Sequence, residues 1–226
     1  MKVYTMKKYL IALAASMLIS TSVFAGSFGV GVSGTLFNID ADVTETTSAS
    51  DTNSGSNTNS GSVSHGGVVA GSIFAEYTFD AYPVTFGIDV VPGAADVSKN
   101  IQKRTETPAS GNNEGTSKDF TANAEIENLM TVYFAVPIYE NFFAKIGYSE
   151  ADVNTTETTV KSYGNGSIDG ITYGLGFTSG NDAGLNYKFA YEAMDFDTLS
   201  LTSTSNNTVT GDIDTEGFKA SLVYNF

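Results

Sequence analysis

The chain has 226 residues, a formal net charge of −14 and a pI near 4.2. This acidity argues against nucleic-acid binding, which requires clustered Lys and Arg to neutralise phosphates. The absence of Cys excludes disulfide scaffolds and thiolate metal sites, and a single His leaves little room for a histidine metal centre. What remains is an all-β chain that is rich in Gly, Tyr and Phe.

The first 25 residues have the pattern of a secretory signal peptide. Two lysines precede an apolar run from Tyr9 to Ile19, and a short segment of small and apolar residues ends at Ala25. The apolar run is well short of the ~20 residues that a spanning helix needs, which argues against an uncleaved membrane anchor. We therefore expect residues 1–25 to be removed and residues 26–226 to form one mature domain.

The mature chain contains eight segments in which apolar and polar residues alternate, the pattern of strands with two unlike faces. In the last segment, Phe218, Leu222 and Phe226 lie on one face, and Gly217 and Lys219 lie on the other. The same alternation predicts eight strands, which cover residues 28–36, 69–79, 84–91, 129–138, 142–149, 171–177, 185–193 and 217–226.

Tight turns and long polar connections alternate strictly between these strands. Short turns on one side of a membrane and long loops on the other are typical of bacterial outer-membrane barrels. A Ser-, Thr- and Asn-rich stretch over residues 44–64 is interpreted as a surface loop, because the single strand before it cannot form a domain. The turns are predicted near residues 80–83, 139–141 and 180–183, and the loops over residues 39–65, 98–119, 153–168 and 198–211.

The chain resembles the small eight-stranded outer-membrane β-barrels of the OmpA/OmpX type, including opacity-like surface antigens. The resemblance covers the whole mature chain and rests on this architecture and on the C-terminal segment Leu222–Phe226. In that family, a terminal Phe preceded by alternating aromatic residues is the signal read by the barrel assembly machinery, so Tyr224 and Phe226 are implied to carry it. The resemblance also implies an all-β, antiparallel, up-and-down transmembrane barrel in the bacterial outer membrane of a Gram-negative cell, exported through the periplasm and surrounded by lipid and lipopolysaccharide.

The small residues indicate which face meets the lipid. Glycines concentrate on the polar face of the strands, and an eight-stranded interior is just wide enough for side chains. We therefore expect the apolar face to point outward, opposite to a soluble barrel such as a lipocalin. Aromatic residues near the periplasmic ends fit an interfacial girdle: Tyr77, Phe79, Phe142, Tyr224 and Phe226.

Charged residues on the polar face would then lie inside the barrel. They can form a satisfied network of ion pairs that plugs the interior, which we favour, or they can line a narrow ion path. This predicted interior network contains Glu76, Asp89, Glu125, Glu127, Lys145, Lys188, Glu192 and Lys219.

Acidic residues continue the outward face just beyond the apolar band, on the loop side. Carboxylate oxygens suit Ca²⁺ and Mg²⁺, so one hypothesis is a divalent-cation collar that bridges to lipopolysaccharide. The other is a solvated acidic rim, which we favour, and beyond loosely bound Ca²⁺ or Mg²⁺ no cofactor is expected. The collar hypothesis rests on Asp40, Asp42, Asp195, Asp197, Asp212 and Asp214, which lie on strands that are neighbours in a closed barrel.

Three functions remain open. A non-enzymatic structural or surface-display barrel that binds an unknown external ligand through its loops comes first, and a narrow porin-like channel of low conductance comes second. A lipid-acting barrel enzyme is third, because His65 ends a Ser- and Gly-rich loop and has no fixed partner. We expect a monomer, since a closed barrel has no free strand edge.

Overall fold

A computed structural model describes residues 26–48, 57–82, 84–97, 102–106, 118–157, 163–180, 182–204 and 206–226. The predicted signal peptide, residues 1–25, lies outside them. The strands are β1 (Gly26–Thr47), β2 (Asn57–Phe79), β3 (Thr85–Asp96), β4 (Gln102–Glu106), β5 (Lys118–Tyr139), β6 (Phe142–Glu157), β7 (Gly166–Thr178), β8 (Gly184–Phe196), β9 (Leu199–Thr202) and β10 (Thr208–Asn225). No helix in these ranges has the length and apolar composition that crossing a membrane requires.

Eight of these strands close into a ring. The order is β1–β2–β3–β5–β6–β7–β8–β10, every neighbouring pair is antiparallel, and β10 pairs back onto β1 from Gly29↔Asn225 to Thr46↔Thr208. The two short strands lengthen this ring at places where a longer strand ends. Beyond the end of β3, β4 pairs with β5, and beyond the end of β8, β9 pairs with β10. The predicted fold class, an eight-stranded antiparallel up-and-down barrel, is confirmed.

The tight turns and both ends of the described chain lie at one end of the barrel, which we call the turn end. Gly26 pairs with Phe79, and the Phe226 amide donates to the Phe28 carbonyl at 2.8 Å. The three short connections, which follow β2, β5 and β7, fall where the alternation predicts them. The other end, to which the long connections belong, is the loop end.

Where the structure describes them, the predicted loops are largely strand. The β1–β2 ladder continues without a gap from Ile39↔His65 to Thr47↔Asn57, so most of the predicted 39–65 loop is a β-hairpin. The error has a physical reason: Ser, Thr and Asn were interpreted as loop formers, but their side chains also pair across strands, as the hydroxyls of Thr44 and Ser60 do at 3.0 Å. Strands β6 and β10 likewise extend into the predicted loops, and β5 begins well before its predicted strand.

The eight strands of the ring turn their apolar faces outward near the turn end, as the alternation predicts. Val69 and Phe218 are 76% and 68% exposed, and on β10 this belt runs from Phe218 to Phe226, close to the 9–11 residues of a tilted spanning strand. Aromatic pairs lie at its turn-end border, with ring centroids of Tyr224 and Phe226 5.1 Å apart. At the opposite border, the Tyr191 hydroxyl donates to a Glu216 oxygen at 2.6 Å. The belt therefore has the two-sided aromatic border of a membrane-spanning barrel.

Candidate functional site: a charged interior beneath an apolar core

Three lysines and three carboxylates meet inside the belt region of the barrel. Lys145 Nζ lies 2.7 Å from Glu192 Oε1, and these side chains are only 5% and 7% exposed. The other ion pairs reach across the interior from strands that are not neighbours: Lys188 with Glu76, and Lys219 with Asp89. Lys219 Nζ also lies 4.0 Å from Glu192 Oε2. Each charge thus has an opposite charge, which offsets the cost of burying it.

Tyr133 joins two of these pairs and was missed by the sequence reasoning. Its hydroxyl donates to Glu76 Oε2 at 3.0 Å, and Lys145 Nζ lies 4.3 Å from its ring centroid. Gly87 makes room for the ring, because a Cβ there would lie 2.3 Å from the Tyr133 Cζ atom. The available signal was the pairing of a large residue on the polar face of one strand with a glycine directly opposite on the next.

The network is closed on the loop side and partly open on the turn side. A cavity of about 210 Å³ extends from the network to residues of the short turns, including Glu140, Asn141 and Gly180. On the loop side, the Ser149 hydroxyl forms hydrogen bonds with the hydroxyl of Thr131, 2.7 Å away, and with that of Thr172.

Beyond the hydroxyls, the interior becomes apolar. The inward residues of β6 illustrate the change, because Lys145 and Ser149 are followed by Ala151 and Val153, both fully buried. This apolar core fills the loop end of the barrel and is formed by Ile39, Ala41, Val97, Ile126, Ala151, Val153, Ile168, Phe196 and Ile213. The polarity of the two faces of the sheet therefore reverses along the barrel. In the belt the outer face is apolar and the interior is charged, whereas at the loop end the outer face is acidic and the interior is apolar.

Two predicted members of the interior network lie elsewhere. Asn128 adopts a left-handed conformation (φ 53°) within a bulge of β5, and the pairing with both neighbouring strands shifts there. Because Ile126 then packs into the apolar core, Glu125 and Glu127 on either side of it point outward. They oppose Asp96 and Asp152 on the neighbouring strands and belong to the acidic exterior. Predicting them inside the barrel was wrong because a bulge reverses the alternation.

The six acids of the collar hypothesis are exposed: five lie on the adjacent strands β8, β10 and β1, and Asp197 directly follows β8. Asp40 is opposite Asp214, and Asp42 is opposite Asp212. Partial burial and the surrounding carboxylates, Asp195 foremost, raise the pKa of Asp214 above its ordinary value. In the described ranges, no group of three or more Asp, Glu or His residues is arranged to hold a metal ion. The divalent-cation site stays a prediction.

His65 does not end a loop. It lies on β2 opposite Ile39, and its Nδ1–H donates to the Asp96 carbonyl oxygen at 2.8 Å. Its fixed partner is therefore a backbone carbonyl, and the structure places no nucleophile against it in the contacts of the described residues. A catalytic use of His65 gains no support from this geometry.

The residues of the predicted assembly signal lie at the turn-end border of the belt. Tyr224 and Phe226 are both largely exposed, and the Phe226 ring stacks 6.0 Å from that of Phe28 on β1. The seam that closes the barrel thus ends in outward aromatic side chains. The chain has the fold of a small outer-membrane β-barrel.

The chain is weakly similar to solved structures of outer-membrane proteins. The Neisserial surface protein A shares 11% identity over 89% of this chain and 100% of its own, with a TM-score of 0.37. The outer membrane protein OprG from Pseudomonas aeruginosa shares 12% over 90% and 97%, with a TM-score of 0.41, and the Escherichia coli outer membrane protease OmpT shares 9% over 92% and 100%, with a TM-score of 0.41. No known family profile matches the chain, and no curated protein is similar to it in sequence. At these identities the likeness concerns the strand arrangement alone.

Proposed function

We propose that the chain is a non-conducting barrel of the bacterial outer membrane that holds its long hairpins above the membrane for display. The observation that carries this proposal is the double closure of the interior. Three buried ion pairs fill the belt region, and the apolar core fills the loop end above them. An ion would have to cross both layers, and the apolar one offers it no polar group.

The exterior supports the same placement. The apolar belt has the height and aromatic borders of a lipid-facing surface, so outer-membrane lipid and lipopolysaccharide would surround it. Tyr224 and Phe226 would serve the barrel assembly machinery during insertion. The apolar core makes the loop end a rigid support for the hairpins, which suits recognition of an external ligand.

The porin-like channel and the lipid-acting enzyme are less well supported. The cavity of about 210 Å³ reaches the network from the turn end but stops below the hydroxyls and the apolar core. Among the described residues, His65 donates to the Asp96 carbonyl oxygen, and this contact does not favour an enzyme.

Planar-bilayer conductance of the refolded mature chain tests the proposal, after heat-modifiable gel migration has shown that the barrel is folded. We expect a compact unheated band and no steady conductance. Phe196→Ala, which opens the apolar core, should introduce current steps or instability, whereas Phe218→Ala, on the exposed belt, should not. Steady conductance of the unmodified barrel would overturn the proposal and favour the channel.

A further inference from the structure

Beyond the belt, β2 pairs with β1 but no longer with β3. The β2–β3 ladder runs only from Thr78↔Thr85 to Ile73↔Val90, whereas the β1–β2 ladder continues to Thr47↔Asn57. Among the strands that the structure describes, none pairs with residues 57–72 on the β3 side. The closed ring therefore leaves a free strand edge at its loop end, which the sequence reasoning did not expect.

The departure of β3 explains this edge. Pro92 has no N–H to donate, and the β3–β5 register shifts between Val91 and Ala94, so β3 follows β5 instead of β2. The hydrogen bond from His65 to Asp96 spans the resulting gap with a side chain. Above His65, the edge over residues 57–64 is accessible, and its side chains from Thr58 to Ser62 are exposed.

Natural proteins usually protect such an edge with charges or proline, and this one has neither. Residues 57–64 contain no Asp, Glu, Lys, Arg or Pro, in a chain whose exterior is otherwise strongly acidic. On the β3 side, no strand of the described ranges pairs with these eight residues, and a segment of that length can pair with an added strand, whose backbone hydrogen bonds supply affinity.

The surroundings of the edge define the side chains that an added strand needs. On the outer face, Ser64 is opposite Asp40 and Ser62 is opposite Asp42, and Asp96 lies across the gap. On the inner face, Val63 packs against the apolar core, whereas Asn59 and Gly61 are exposed. Because strand side chains alternate between faces, an added strand would present every second residue to the acidic outer face, and beside Val63 its other residues would lie next to the apolar core.

We propose that the free edge of β2, residues 57–64, binds an extended peptide segment of another protein in which basic and apolar residues alternate. This proposal rests on the display function, since it uses the half of the barrel that projects from the membrane. A second copy of the chain fits less well, because it would bring two acidic exteriors together.

Binding of synthetic octapeptides to the refolded mature barrel in nonionic micelles tests this, with protein-free micelles as background. An alternating Lys/Val peptide should bind by fluorescence anisotropy, and an alternating Glu/Val peptide should not. N-methylation of every second amide should weaken binding at least about tenfold, because several backbone bonds of roughly 0.5–1.5 kcal/mol each are lost. Equal binding of the methylated peptide would overturn the proposal, since attraction to carboxylates alone would then suffice.

A matched pair of barrel variants locates the site. Ser64→Lys places a cation on the free-edge strand and should weaken Lys/Val binding several-fold, whereas Thr46→Lys adds the same charge on β1 and should have a smaller effect. Equal losses, or no binding by a barrel that shows the compact gel band, would refute the edge site without affecting the conductance result. Concentration-dependent self-association that Ser64→Lys abolishes would refute it in favour of a second copy.

Discussion

Removing one charge from the interior should destabilise the barrel strongly. In Lys145→Met, the cation is replaced by an apolar side chain, and Glu192 keeps only Lys219, whose Nζ lies 4.0 Å from its Oε2 atom. Breaking a buried ion pair by removing one partner costs about 3–5 kcal/mol, because the remaining charge stays buried. We expect a loss at the lower end, about 3 kcal/mol, since Lys219 remains as a second cation.

The paired variant separates the charge from the packing. Lys145→Met with Glu192→Met removes both charges, and Lys219 keeps Asp89, so the free energy of unfolding should recover to within roughly 1 kcal/mol of the original. Urea unfolding in lipid vesicles measures these values by far-UV circular dichroism, because the chain has no Trp. A loss below about 1 kcal/mol in Lys145→Met would refute the reasoning, since it would mean that water in the adjoining cavity screens the pair.

Four further predictions follow from the interior and the acidic exterior. Gly87→Ala should cost about 1–3 kcal/mol because its Cβ collides with the Tyr133 ring, whereas Gly34→Ala, with no atom within 4 Å, should be nearly neutral. Ile213→Ala should cost about 2–5 kcal/mol by leaving a cavity in the apolar core. Asp214→Asn should stabilise the barrel at pH 7, and the gain should vanish as the pH falls below the ordinary Asp pKa. Calcium should leave the melting temperature unchanged if the acidic exterior is a solvated rim.

The sign of the pH effect follows from the raised pKa of Asp214. A carboxyl with a folded-state pKa above its unfolded value holds its proton more tightly when folded, so its ionisation destabilises the barrel as the pH rises through that range. Unfolding by urea at pH 7 and at pH 3.5 measures the difference. If Asp214→Asn stabilised the barrel equally at both pH values, the raised pKa of Asp214 would not be the cause. Separately, equal costs of Gly87→Ala and Gly34→Ala would contradict the collision with the Tyr133 ring.

The orientation of the faces could be predicted because it depends only on the parity of residues along each strand. Glycines such as Gly87 indicate that the polar face lies in the crowded interior, and the exposed apolar belt confirms that the opposite face points outward. The partners inside the barrel could not be predicted in the same way. Lys188 meets Glu76, 112 residues earlier in the chain, because the stagger of the closed ring brings these strands to the same height.

The wrong predictions lie beyond the belt, where the strands continue but the apolar residues face inward and the acidic residues face outward. Ile39 and Ala41 alternate with Asp40 and Asp42, which is a regular strand pattern, yet the acids were taken to mark the start of a loop. The apolar residues between them are the core of the loop end. A single bulge at Asn128 was enough to reverse the prediction for the residues before it.

The ion pairs also bear on how the barrel is assembled. Glu76 and Asp89 lie on β2 and β3, while their lysine partners lie on β8 and β10, and the Asp89–Lys219 contact spans 130 residues. A partly inserted chain that holds only the early strands would carry these carboxylates toward the lipid side of an open sheet without their cations. Charge neutrality and closure are therefore reached together, when the last strand joins the first. Such long-range contacts favour slow, all-or-none insertion over strand-by-strand entry.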